Sequence, residues 1–198
     1  MSIDFQQSQT RLNLLRAFAG ESQARNRYTF AAAQAKTQKL HVVEAIFTYT
    51  AGQELEHAEV FYNHLRACTG QNITIDGSYP IDIAPTIPEL LRMAQHNEFE
   101  EHDPVYPAFA ETARNEGFAQ IAQSFTMIAA IEKTHGERFG QLADWMEQAK
   151  LFTADTPCAW LCLNCGHIHT GIEAPKICPV CSHDQGYFVR LEYAPWAK

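Results

Sequence analysis

Glu54-Leu-Glu-His57 and Glu132-Lys-Thr-His135 are two copies of Glu-x-x-His set 78 residues apart. The same shift relates Phe47, Thr50, Glu54, His57 and Phe61 to Phe125, Ile128, Glu132, His135 and Phe139. Each series steps by 3, 4, 3, 4, which puts its members on one face of a helix. A carboxylate and an imidazole on an otherwise apolar stripe are costly to bury without a partner. A metal ion is such a partner, so two related helices carrying the same pair predict a pseudo-symmetric site for two metals.

Two further stripes carry carboxylates at matching spacing. One runs Leu14, Ala17, Glu21, Ala24, Tyr28, and the other Leu91, Ala94, Glu98, Glu101, Val105. The candidate ligands are therefore Glu21, Glu54, His57, Glu98, Glu101, Glu132 and His135. One Glu from each of two helices plus Glu-x-x-His from each of the other two is the ligand set of di-iron carboxylate bundles. Carboxylates can bridge two cations, and imidazoles suit iron as terminal ligands. Five carboxylates leave two ferrous ions at about −1 overall, which favours their oxidation. Tyr28 and Tyr106 are also 78 apart; each reads either as a core tyrosine or as a hydrogen-bond donor to a ligand carboxylate. His41, His64, His96 and His102 fall off the stripes and are expected in solvent, and Glu56 and Glu59 belong to the outer face of their helix.

Cysteine supplies a second site. Cys162-Leu-Asn-Cys165 and Cys178-Pro-Val-Cys181 are two Cys-x-x-Cys pairs with twelve residues between the inner cysteines. In a reducing compartment this spacing means tetrahedral metal binding rather than disulfides. Zinc and iron both accept four thiolates. A structural zinc ribbon is the plain alternative; the Cys-x-x-Cys-Gly and Cys-Pro-x-Cys knuckles beside a redox-capable bundle favour iron. Trp160, Tyr187 and Phe188 would form the small core around it. Cys68 and Cys158 have no clustered partner and are expected to be structural thiols.

The elements that must position these groups follow from breakers and caps. Residues 8 to 36 read as one long helix, and a second runs from about Leu40 to Ala67. Gly70, Gly77, Pro80 and Pro85 make the segment from Cys68 to Pro85 a crossover connection. Thr86-Ile-Pro-Glu89 fits a capping box that opens a third helix, which Pro104 and Pro107 should kink. Asn115-Glu-Gly117 stops it, and a fourth helix runs from about Phe118 to Lys150. Four helices with one long central connection predict an up-down, crossover, up-down bundle over residues 1–150. Thr153 to Pro157 reads as a linker into a small β-rich domain over residues 151–198, too short to fold without a metal.

Of 198 residues, 46% are hydrophobic and 19% charged, an ordinary composition for a globular protein. The net charge of −8 argues against a nucleic-acid or anionic-membrane partner. The start, Met-Ser-Ile-Asp-Phe-Gln-Gln, lacks a basic and apolar signal pattern, and no window approaches the roughly 20 apolar residues that span a bilayer. The expected location is the cytoplasm.

Taken together, Ala19-Gly-Glu21-Ser-Gln-Ala-Arg25-Asn-Arg-Tyr28, Glu54-x-x-His57, Glu98-x-x-Glu101, Tyr106-Pro-x-Phe-Ala110, Glu132-x-x-His135 and the two cysteine knuckles resemble the rubrerythrin family over nearly the whole chain. The resemblance implies a mainly α fold, a ferritin-like four-helix bundle holding two irons, followed by a rubredoxin-like domain holding one iron on Cys162, Cys165, Cys178 and Cys181. It implies that Glu54 and Glu132 bridge the irons, and that Glu101 and His57 alternate on one of them. It implies a peroxidase reducing hydrogen peroxide to water, fed by a separate NAD(P)H-linked reductase or rubredoxin, and a homodimer. Glu21, Glu54, Glu98, Glu101, Glu132 and Tyr28 are the expected catalytic groups, the last a candidate proton donor. A ferroxidase or oxidase using oxygen, and an iron-binding protein with a zinc ribbon, are the competing readings.

Overall fold

Ser8 opens the first helix by accepting a hydrogen bond on its hydroxyl from the Arg11 amide at 3.1 Å. In the computed structural model, which describes residues 3–194, α1 (Gln9–Thr37) turns back through Lys39 and Leu40 into α2 (His41–His64). A short 3₁₀ turn, Arg66–Cys68, ends this hairpin, so α2 stops three residues before the expected Ala67. The crossover follows, pinned to α1 by Arg16–Asp76 and Arg27–Asp82 ion pairs and by Tyr79, whose hydroxyl donates to the Arg16 carbonyl at 2.9 Å. Then come α3 (Ile87–Glu100), α4 (Tyr106–Asn115) and α5 (Ala119–Glu147). At the start of α3 the Glu89 carboxylate accepts from the Thr86 hydroxyl and amide at 2.7 and 3.3 Å.

α1 packs along α2, and α3 and α4 pack along α5. The third helix is broken at the expected kink. It is two helices joined by a π turn, Glu101–Val105, in which Asp103 is extended. The turn inserts one residue. Glu21 and Tyr28 lie seven apart on α1, whereas Glu98 and Tyr106 lie eight apart. The buried face therefore continues through Tyr106, 1% exposed, rather than through Val105, which is half-buried.

The three regular stripes are inward as expected: Leu14, Ala17, Glu21, Ala24 and Tyr28, then the α2 and α5 series, are all buried. Aromatic layers close the bundle interior at both ends. Phe47, Phe139 and Tyr28 meet on one side, with ring centroids 5.1 to 5.9 Å apart. Phe61, Phe125 and Tyr106 meet on the other, at 4.9 to 5.8 Å. The polar stripes lie between these layers.

After α5 the tail forms an antiparallel sheet in the order β2-β1-β3, from β1 (Thr153–Cys162), β2 (Ile168–Glu173) and β3 (Phe188–Arg190). The expected linker is thus the first half of β1: Thr153 pairs with Glu173, and a bulge separates it from the Cys158–Gly171 pair. Trp160 and Phe188 are buried and Tyr187 packs beside them, as expected. The tail rests on the α1–α2 turn. Tyr187 stacks on His41 with centroids 3.9 Å apart, and Gly186 lies so close to the Lys39 carbonyl that a Cβ would sit 1.8 Å from it. No helix among the described residues is long and apolar enough to cross a membrane.

Candidate metal centres

Glu54 and Glu132 are fully buried at the middle of the bundle, and each divides its oxygens between two imidazoles. Glu54 places one oxygen 3.0 Å from His57 Nδ1 and the other 3.1 Å from His135 Nδ1. Glu132 does the same at 2.9 and 2.8 Å. The two outer carboxylates each have one oxygen occupied. Tyr106 donates to Glu21 Oε1 at 2.5 Å, and Tyr28 donates to Glu98 Oε1. Both tyrosines, paired by the 78-residue repeat, are thus hydrogen-bond donors to the cluster rather than plain core residues.

What remains is a set of buried atoms that make no well-aligned hydrogen bond, the imidazole–carboxylate approaches above being close in distance alone: Glu21 Oε2, both oxygens of Glu54 and of Glu132, Glu98 Oε2, and Nδ1 of both histidines. They fall into two overlapping groups, Glu21, Glu54, His57, Glu132 and Glu54, Glu98, Glu132, His135, each with its ligand atoms within 4.8 Å of one another. Buried acceptors facing acceptors are stable only around cations. The donor set fits two metal ions sharing Glu54 and Glu132, with Glu21 and His57 completing one side and Glu98 and His135 the other. His135 suits this: Nε2 lies 3.1 Å from the Gln53 side-chain oxygen, an acceptor that would keep a proton on Nε2 and leave Nδ1 to a metal.

Glu101 stands apart. It belongs to neither group, is half-buried, and has one oxygen 3.8 Å from the position a Cβ would take on Gly20. Its backbone is still helical, three residues on from Glu98, so it stays beside the cluster carboxylates while lying outside the two groups.

Electrostatics without metal show how strongly the site wants cations. Burial, then the charges of its neighbours, raises Glu21, Glu98 and Glu101 well above the usual carboxylate range. Burial alone would lower the histidines, but Glu132 and Glu54 outweigh it and hold His57 at about 9 and His135 at about 12. Against its own burial, Glu132 is pulled down to about 2 by His135 and His57. The metal-free cluster therefore holds protons where ions would sit.

The four tail cysteines converge on a second centre. Cys162 Sγ is 3.8 Å from Cys181 Sγ, and Cys165 Sγ is 3.7 Å from Cys178 Sγ. A tetrahedron with metal–sulfur bonds of about 2.3 Å has edges of about 3.8 Å. The knuckles repeat one backbone pattern. The Gly166 amide donates to the Cys162 carbonyl at 2.8 Å and the Ser182 amide to the Cys178 carbonyl at 2.9 Å. Gly166 (φ +77°) and Ser182 (φ +61°) both take the left-handed conformation that this turn requires. The His183 amide, directed at Cys181 Sγ, is foremost in bringing that thiol down to about 6, so it is a ready thiolate ligand.

Several side chains differ from the sequence expectation. Of the off-stripe histidines only His96 is exposed. His41 stacks on Tyr187, His64 pairs with the Ser124 hydroxyl at 2.9 Å, and His102 reaches the Ala129 carbonyl at 2.8 Å. Gln53 and Arg138, which lie behind His135 and 3.4 Å from each other, were invisible to the repeat, because the residue 78 after Gln53 is Ile131. Cys68 is buried and Cys158 half-buried, both free thiols. Glu56 and Glu59 are exposed, as expected.

Comparison with known proteins agrees with this geometry. Residues 13–143 match the family model described as Rubrerythrin, and residues 160–189 that described as Rubrerythrin, rubredoxin-like domain. The chain is 45% identical over 181 residues to a rubrerythrin of Porphyromonas gingivalis, covering 91% of this chain and 89% of that one. It is 40% identical over 187 residues to a rubrerythrin of Nitratidesulfovibrio vulgaris, covering 93% and 95%. A solved structure of nigerythrin in its fully reduced, all-ferrous state superposes with a TM-score of 0.63 at 28% identity, covering 96% of this chain and 88% of that one.

Proposed function

The chain belongs to the rubrerythrin family, with its di-iron carboxylate site and rubredoxin-like four-cysteine site, and from that premise we propose that it is a peroxidase reducing hydrogen peroxide to water. The observation that carries this reading is the division of Glu54 and Glu132 oxygens between two histidines, which provides two adjacent metal positions. A ferrous pair held there supplies two electrons, the number that cleavage of one O–O bond requires.

The residues of the chain do the rest. Glu21, Glu54, Glu98 and Glu132 carry four negative charges, which balance two ferrous ions. Oxidation of a bound pair would add two positive charges, and Glu101 is the nearby carboxylate that would be available to offset one of them. In this reading Glu101 and His57 would be alternative holders of the same ion, on the side also bounded by Glu21. Tyr28 and Tyr106 hold Glu98 and Glu21 in place through one oxygen each, and Tyr28 is the candidate proton donor to a leaving oxygen. The aromatic layers above and below keep bulk water from the cluster.

Electrons return through the four-cysteine centre from a reductase or rubredoxin. The protein works as a homodimer, a reading supported by exposed apolar side chains on α1 and the crossover: Phe30 (69%), Ile81 (83%) and Ile83 (85%). Four thiols gathered for a metal require reducing surroundings, which supports a cytoplasmic setting. Cys162→Ser tests the relay: a single reoxidation of the reduced bundle by peroxide survives, while reductase-coupled steady-state turnover falls at least tenfold. Unchanged steady-state turnover would remove the four-cysteine centre from the electron path.

A further inference from the structure

A cavity of about 630 Å³ opens from the surface between α1, the crossover and the π turn. The buried Gly20 and Tyr106 and the half-buried Glu101 line it, so it borders the cluster at Glu101, the predicted ligand that stands outside the two ligand groups. Its walls are mostly apolar, formed by Tyr79, Pro80, Pro104, Val105, Ala108 and Phe109. The volume falls within the roughly 300–1,000 Å³ of sites that bind small organic molecules, far more than a four-atom peroxide fills.

The charges at the rim narrow the ligand further. Arg16 is paired with Asp76 and Arg27 with Asp82, so both guanidiniums already face a carboxylate, and Glu100 adds negative charge. An uncharged molecule with an apolar body fits; a carboxylate- or phosphate-bearing one does not. A polar end facing Glu101 and an apolar body against Val105, Ala108 and Phe109 is the shape of a neutral organic hydroperoxide.

Resting on the peroxidase reading, we propose that this cleft makes neutral organic hydroperoxides substrates of the same centre. The balance is ROOH + 2 e⁻ + 2 H⁺ → ROH + H₂O. The O–O bond breaks, both electrons come from the ferrous pair, the two oxygens take up one proton each, and the alcohol leaves by the cleft. Tyr79 lines the cleft beside Gly20, its ring at an ordinary contact distance of 3.7 Å from the Cβ position of that residue.

The test compares cumene hydroperoxide with hydrogen peroxide in the iron-loaded protein, using wild type, Ala108→Trp and Ser78→Trp. Both substituted positions are exposed wall residues outside the metal clusters. Cumene hydroperoxide is expected to be reduced with kcat/KM within tenfold of that for hydrogen peroxide. Ala108→Trp should lower its kcat/KM at least tenfold, with Ser78→Trp acting in the same direction and hydrogen peroxide held within twofold. Calorimetry provides a readout independent of turnover: cumyl alcohol binds the as-isolated protein, and Ala108→Trp abolishes the heat. Turnover of hydrogen peroxide alone, equal losses for both peroxides, or no binding of cumyl alcohol would overturn the cleft's role while leaving the peroxidase reading intact. Failure to reduce either peroxide would overturn both.

Discussion

The bundle site rests on two carboxylates that each serve two directions. Because Glu54 and Glu132 are shared, losing the charge of either should empty both metal positions rather than one. Glu132→Gln keeps the shape, and its bundle iron is expected to fall from two to below half an equivalent while the thiolate iron stays; iron analysis with the visible spectrum separates the pools. Tyr28→Phe removes a donor and leaves Glu98 Oε1 without its partner in a buried setting, a loss of roughly 1–3 kcal/mol. A lower urea midpoint of the iron-loaded protein measures it, and an unchanged midpoint would show that Glu98 does not depend on this bond. The ionisations give a pH dependence to the metal-free protein. His57 and His135 are raised from 6.5 to about 9 and about 12, so the stability they contribute is complete below pH 6.5 and lost as pH rises through these values. Glu21, Glu98 and Glu101, also raised, act in the same direction, whereas Glu132, lowered to about 2, loses its contribution only as pH falls below 4.5. The Tm of the metal-free bundle is therefore expected to drop between pH 6.5 and 9, with a flatter profile once iron has displaced the protons. A rising Tm over that interval would contradict the arrangement.

At the scale of the elements, the site depends on how closely α3 and α5 approach and on where the π turn falls. Gly136, one residue after His135, faces the ring of Phe99, and a Cβ there would lie 3.0 to 3.2 Å from three ring carbons. Gly136→Val should push the helices apart, costing about 1–3 kcal/mol in thermal unfolding and weakening iron retention. Most of these helices were legible from spacing, because a buried face of an unbroken helix must repeat at 3.6 residues. The break was legible only as two prolines. One extra residue between Glu98 and Tyr106 leaves no periodic signature, so the stripe read on through Val105, and only the 78-residue pairing with Tyr28 pointed Tyr106 inward. Similarly, Thr153 to Pro157 carries the composition of a linker, yet Glu173 on β2 and the Arg190 guanidinium, which donates to the Thr153 carbonyl at 2.8 Å, hold its first residue in a strand. Those partners lie 20 and 37 residues away in the chain, beyond what local composition carries.

At the scale of the whole molecule, two helical hairpins related by a 78-residue repeat enclose one site, and a tail stapled by four thiols sits against the turn of the first hairpin. The repeat made the metal ligands readable, since symmetry presents the same pair twice. The groups that break it, Gln53, Arg138 and the crossover that roofs the cleft, became visible only in three dimensions. Joining a two-electron centre to a one-electron centre is the central claim, and one mixing experiment addresses it directly. The protein is reduced with dithionite, freed of excess reductant and mixed anaerobically with one equivalent of hydrogen peroxide, while the ferric-thiolate absorption of the four-cysteine centre is followed. That absorption should return rapidly, and much faster than with an equal amount of dissolved oxygen. A spectrum that does not change, or that recovers faster with oxygen, would contradict the account.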